Sequence, residues 1–178
     1  MKFISKLIPV LALSGVAVAT QAAEGPNVII VFIDDFGYGD LGCYGSTKHR
    51  TPHIDQMAKE GIRLTDFYVG SSVSTPSRSA LLTGYYPRRV SMHVNADPTP
   101  LMSKGRQALF PASHKGLNPG EITIAELMKE QGYATACIGK WHLGDQLPFL
   151  PTRQGFDYYY VVYKVKKCLL KSGKVKAI

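Results

Sequence analysis

At 178 residues the chain has the length of one domain, enough to bury a sizeable core. Its formal net charge of +8 invites a nucleic-acid partner, but eight of the 21 basic residues sit at the two ends: Lys2 and Lys6, then Lys164, Lys166, Lys167, Lys171, Lys174 and Lys176. The other 13 meet 13 acidic residues, so the middle is neutral and no nucleic-acid face is expected.

Residues 1–22 read as a secretion signal. Lys2 and Lys6 form the positive start, residues 7–18 the apolar run, and Ala17-Val18-Ala19 or Thr20-Gln21-Ala22 a small-residue cleavage site. The apolar run falls short of the ~20 residues that span a bilayer, so no stable membrane anchor is expected and the mature chain is expected to be periplasmic or secreted. Cys43, Cys137 and Cys168 are an odd number without zinc-type spacing, and imply no complete disulfide framework.

Residues 27–33 are continuously apolar and rich in β-branched side chains, the pattern of a strand buried on both faces of a parallel sheet. Asp34 and Asp35 follow at its carboxyl end, where open α/β sheets place ligands. Adjacent carboxylates repel unless a cation joins them. A hard ion such as calcium, which takes oxygen ligands, would resolve that conflict; a solvated turn is the alternative. Gly37-Tyr38-Gly39-Asp40-Leu41-Gly42 is formally a dinucleotide fingerprint. It leads into turn-type sequence rather than a helix, and two acids precede it, which argues against a pyrophosphate.

Thr51 and Pro52 open a helix running to Lys59, with Thr51 as cap and Ile54, Met57 and Ala58 as its apolar face. Residues 62–69 alternate well enough for a strand. The run Ser74-Thr75-Pro76-Ser77-Arg78-Ser79-Ala80-Leu81-Leu82-Thr83-Gly84 then reads as a turn feeding a short helix. Ser74 and Thr75 stand at capping positions, Pro76 at the first helical position, and Gly84 as a left-handed stop. The free amides of such a helix start attract anions, and Arg78 lies one turn on. The plain alternative is a capped surface helix.

Residues 85–119 show no sustained periodicity and read as an irregular excursion. Arg88, Arg89 and His93 within it could touch an anionic substrate, or simply be solvated. Thr123-Ile124-Ala125-Glu126 is a capping box for a helix that buries Ile124, Leu127 and Met128. Residues 133–138 read as a second buried strand. Gly139-Lys140-Trp141-His142-Leu143-Gly144 leaves its carboxyl edge, where Lys140 and His142 project the same way if the backbone is extended. One is a fixed cation; the other titrates near neutrality and can move a proton.

Two of these runs carry a resemblance. Ser74-Thr75-Pro76-Ser77-Arg78 with Leu82-Thr83-Gly84 resembles the first signature of the sulfatases, and Gly139-Lys140-Trp141-His142-Leu143-Gly144 looks like the second. The acid pair and glycine-rich loop also match the family's order. The resemblance implies an α/β fold of the alkaline-phosphatase-like kind, a mostly parallel sheet flanked by helices. It implies hydrolysis of sulfate monoesters of small molecules or glycans. Ser74 would be oxidised to formylglycine (3-oxoalanine) by a radical-SAM maturase. Asp34 and Asp35, with the residue-74 oxygen, would bind calcium. Arg78, Lys140 and His142 would contact the reacting groups.

The resemblance covers residues 26–160 and stops there. Family members continue with a second set of acidic, His and Lys site residues, and residues 161–178 match none of them. With six Lys and no acid, that stretch reads as a shifted or early-ended frame. Calcium takes about 6–8 oxygens, more than these residues offer, so the chain alone is expected to be inactive. Two rival readings remain. One is a phosphoesterase of the same superfamily, whose metal-bound hydroxyl attacks phosphorus; the other is a non-catalytic secreted fragment.

Overall fold

The computed structural model describes residues 25–94, 106–111 and 113–161. The leader over residues 1–22 and the lysine-rich stretch from residue 162 lie outside them, as does Cys168. Three helices, α1 (Pro52–Glu60), α2 (Ser74–Thr83) and α3 (Ile124–Glu130), accompany two short strands, β1 (Ala136–Ile138) and β2 (Tyr158–Tyr160). The strands pair in parallel, with Cys137 opposite Tyr159. A parallel pair needs a crossover, and here residues 139–157 make it. No helix among the described residues is long and apolar enough to cross a membrane.

The core lies under that crossover. Val90, Met92, Leu109, Leu117, Trp141 and Leu143 are buried together, with Leu82, Cys137, Phe156 and Tyr159 packed against them. Trp141 meets Phe156 edge-on at 6.0 Å, and its indole N–H donates to the Phe149 carbonyl at 2.8 Å. The irregular residues 85–119 thus supply four core side chains. They are structural rather than peripheral, because their backbone is tied down: the Leu117 N–H donates to the Leu143 carbonyl at 2.8 Å.

Three expectations need correction. Residues 27–33 form no strand and are not buried; Ile29 is 86% and Val31 74% exposed, and no backbone ladder holds them among the described residues. A β-branched run becomes a strand only when partners pair its backbone and cover its faces, and the described residues supply neither. Residues 62–69 form no strand either. Instead the Tyr44 hydroxyl donates to the Leu64 carbonyl at 2.5 Å, and the Tyr38 hydroxyl donates to the Phe67 carbonyl at 2.8 Å, tying the segment to the glycine-rich turns. The second expected strand shrinks to β1, whose Ile138 is exposed.

The helix ends are mostly as read. Pro52 opens α1 and Gly84 ends α2 at φ 69. Thr123 and Glu126 exchange both capping-box bonds at 2.7 and 3.3 Å. In α3, however, Ala125 is the buried residue and Leu127 is exposed. Thr51 stands at the cap position of α1 as read, but its side chain makes no capping bond; its hydroxyl donates to Asp55 at 3.0 Å and accepts the Gly42 N–H at 2.9 Å. A Cβ on Gly42 would sit 2.5 Å from the Asp55 carboxylate. That glycine serves the contact between turn and helix, not a phosphate.

Candidate active site

Helix α2 begins at Ser74 with Val73 as its cap, so neither Ser74 nor Thr75 caps it. Both hydroxyls are thereby released for longer-range bonds. Arg78, one turn on, donates from Nε to the Ser74 Oγ at 3.0 Å and from Nη1 to the Lys140 carbonyl at 2.7 Å. Its side chain is only 12% exposed and lies over the Phe32 ring, 5.3 Å from the centroid. Arg78 therefore couples the two signature runs.

Lys140 forms an ion pair with Asp34, and Arg78 Nη2 stands 3.8 Å from the other Asp34 oxygen. The hydrogen bond from Lys140, ahead of the two cationic fields, holds the Asp34 carboxyl below its ordinary range, although burial opposes it. Burial lowers the Arg78 guanidinium, and Asp34 counters that. Burial also keeps the nearby Cys137 thiol protonated by pushing it up.

His142 closes the other side. Its Nε2 lies 2.8 Å from the Leu109 carbonyl and its Nδ1 3.2 Å from the Ser74 Oγ. A carbonyl only accepts, so Nε2 carries the proton and Nδ1 is free to accept from Ser74. Burial, ahead of the Lys140 and Arg78 charges, lowers His142 below the usual histidine range, so the ring is neutral near pH 7; the Leu109 carbonyl partly opposes this. Ser74 has one proton to share between His142 and the neighbouring Asp34 carboxylate.

Trp141 packs into the core between Lys140 and His142, and both flanking side chains reach the site. They do so without the expected extended backbone: Gly139 has φ 95 and His142 φ 60. Asp35 is left-handed too, at φ 53. At the non-glycine residues Asp35 and His142 this conformation costs roughly 1–3 kcal/mol, and such residues collect at functional sites.

Two participants were missed by sequence reasoning. The Thr75 hydroxyl, 1% exposed, donates to the His142 carbonyl at 3.0 Å and accepts the Leu109 N–H at 3.1 Å. The Leu109 carbonyl in turn holds the His142 ring. Thr75, Leu109 and His142 form a closed clamp. Leu109 acts through its backbone from within the irregular excursion, and no side-chain pattern announces that.

As a cation site the donors form one side only. Asp34 and Asp35 are exposed hard oxygens, and the Ser74 oxygen adjoins Asp34. Among the described residues no group of three His, Cys, Asp or Glu is placed to hold a metal ion. The chemistry fits calcium, but the number of oxygens is that of half a cage.

The comparisons with known proteins agree with this geometry. A family model described as Sulfatase matches residues 26–167. Human arylsulfatase A is 45% identical over 149 residues, covering 83% of this chain and 27% of its own. The N-acetylgalactosamine-6-O-sulfatase of Bacteroides thetaiotaomicron is 39% identical over 183 residues, covering 91% of this chain and 33% of its own. The crystal structure of Ps i-CgsB superposes with a TM-score of 0.62 at 37% identity, over 71% of this chain and 26% of that one. The small parallel sheet and its helices are thus part of an alkaline-phosphatase-like α/β domain. The chain spans about a quarter of the length of the first curated relatives it matches. It belongs to the sulfatase family.

Proposed function

We propose that this chain carries part of the active site of a sulfuric ester hydrolase. The observation that carries the reading is the position of the Ser74 hydroxyl. Arg78 donates to it, a neutral imidazole nitrogen faces it, and the Lys140–Asp34 pair lies alongside. An anionic ester brought to Ser74 meets two cations. Lys140 neutralises a sulfate oxygen, at the expense of its bond to Asp34. Arg78 fixes the residue-74 oxygen through a charge-assisted bond. His142 Nδ1 takes a proton from that oxygen, or returns one near the leaving group.

Two groups complete the reading. Formylglycine, made from Ser74 by a radical-SAM maturase, would in its hydrated form supply a nucleophilic hydroxyl in place of a weak serine alcohol. Calcium, held on one side by Asp34, Asp35 and residue 74, would polarise a sulfate oxygen. The expected substrates are sulfated small molecules or glycans. Support comes from the named activities of the relatives, and from Ps i-CgsB solved with k-i-k-neocarrahexaose. Export through the residue 1–22 leader, to a periplasmic or secreted location, belongs to the same proposal.

A second reading is favoured by the 3.2 Å approach of Ser74 to His142, a hydroxyl beside a neutral base. Unmodified Ser74 would then attack a phosphate ester directly. Turnover of an aryl sulfate beside an aryl phosphate separates the two. It should be run on this chain and on one extended past Tyr160 by the remainder of a relative. We expect calcium-dependent sulfate release from the extended chain, lost on Lys140→Ala, and none from the short one. Phosphate release alone would overturn the sulfatase reading.

A further inference from the structure

We propose that Phe32 is a positioning residue for the sulfate chemistry, holding Arg78 through a cation–π contact so that its Nε donor stays on the Ser74 oxygen. The inference rests on the sulfatase reading above and adds to it a residue outside both signature runs. Arg78 is only 12% exposed, and burial works against its charge. A guanidinium taken out of water needs partners to replace it. Nε donates to the Ser74 Oγ at 3.0 Å and Nη1 to the Lys140 carbonyl at 2.7 Å. Nη2 stands 3.8 Å from Asp34, too far for a hydrogen bond. The N–H donors of a guanidinium lie in its plane, so its flat face needs a different partner. That partner is the Phe32 ring, whose centroid lies 5.3 Å from the Arg78 Cζ.

The contact uses what an aliphatic residue lacks. The face of an aromatic ring attracts a cation within about 6 Å of its centroid, and more strongly once the cation is desolvated. Arg63, Arg89 and Arg106 also lie over rings, those of Tyr44, Tyr85 and Phe110, but these three arginines are exposed. Among these four pairs the desolvated cation is Arg78, so Phe32 makes the contact that matters most. Phe32 is also set apart within its own segment. The other apolar residues of 27–33 are aliphatic and exposed, while Phe32 is half-buried. No backbone ladder holds this segment among the described residues, so the Phe32 side chain is placed by what it touches. Without the ring, the guanidinium face opens to water and the Nε bond to Ser74 loosens. The Ser74 oxygen then keeps the 3.2 Å approach of His142 and loses its fixed donor.

The test follows exchange of the Arg78 Nε–H with solvent by NMR in the full chain. Phe32 is replaced by phenylalanine carrying one, two and then three ring fluorines, which drains charge from the ring face at nearly constant shape. Phe32→Leu and Phe32→Tyr complete the series. We expect exchange to quicken stepwise with fluorine, by about tenfold at the third, and at least as much in Phe32→Leu. Phe32→Tyr keeps the aromatic face and should stay within about twofold of the native chain. Backbone amides of α3 should exchange at native rates throughout, which separates a local opening from loss of the fold. Faster exchange in Phe32→Leu without a graded response to fluorine would mean that the ring acts by shape alone, and overturns the proposal. Unchanged exchange across the series overturns it as well. The readout needs no substrate and no conversion of Ser74. It can therefore fail while the sulfatase reading stands, and the aryl-sulfate assay can fail while it holds.

Discussion

Two apolar regions flank the candidate site and are built in opposite ways. Around His142, core residues from several distant segments close on one another: Leu143 is 0% exposed, and Met92 and Leu117 are equally enclosed. Residues 27–33 are as apolar, yet most of them face solvent. Among the described residues its contacts are the Tyr133 hydroxyl at Pro26, Arg78 at Phe32 and Asp34, and Lys140 at Asp34. The Ser74 and His142 side of the site is thus set by contacts within the described residues. The acid side hangs on ion pairs and on a cation–π contact. Exposed apolar runs of this kind promote association.

The largest effect should come from substitution within the closed region. Leu143→Ala removes a fully buried side chain and should destabilise the fold by about 2–5 kcal/mol. Ile29→Ala removes an exposed one and should shift stability by no more than about 0.5 kcal/mol. Urea unfolding of both variants checks the contrast; similar losses would mean that residues 27–33 are covered in solution.

The clamp comes next. Thr75→Val leaves the Leu109 N–H and the His142 carbonyl without their hydroxyl, a loss of about 1–3 kcal/mol. Thr75→Ser should recover most of it. The ¹⁵N shifts of the His142 ring should report loss of the single Nε2–H tautomer in the valine variant alone. A ring unchanged in both variants would show that Thr75 does not position it.

The smallest effect concerns the acid side. Lys140, chiefly, and Arg78 hold Asp34 below its ordinary range, so the folded state binds its proton less readily than the unfolded chain. The stabilisation is therefore complete above the ordinary carboxylate range and fades as the pH falls through the depressed folded value. Asp34 is more than a third exposed, so the contribution should not exceed about 1 kcal/mol. Stability measured from pH 7 downward for the native chain and Asp34→Asn should converge at the acid end. Curves that stay parallel throughout would place Asp34 outside any ion pair.

Much of the site was legible because its chemistry is written in short runs. Ser74, Arg78, Lys140 and His142 lie within two motifs, and the structure brings all four together with Asp34. The capping box at Thr123 was legible for the same reason. The rest depends on partners distant in sequence. Thr75 reads as a cap until Val73 takes that place, and its true partners, Leu109 and His142, lie 34 and 67 residues away. Residues 85–119 lack periodicity, yet they provide Val90, Met92, Leu109 and Leu117 to the core. Residues 27–33 show the converse: a sound strand pattern, with no ladder among the described residues to complete it.

The central claim is that Ser74 is seated here for conversion to the family's formylglycine. The measurement that meets it most directly is the mass of the Ser74 peptide from cells that also express a Ser-type radical-SAM maturase. The account predicts a peptide lighter by two hydrogens, as alcohol becomes aldehyde, and no such species from Ser74→Ala. An unmodified peptide, made beside a maturase shown to act on another Ser-type sulfatase in the same cells, would contradict it.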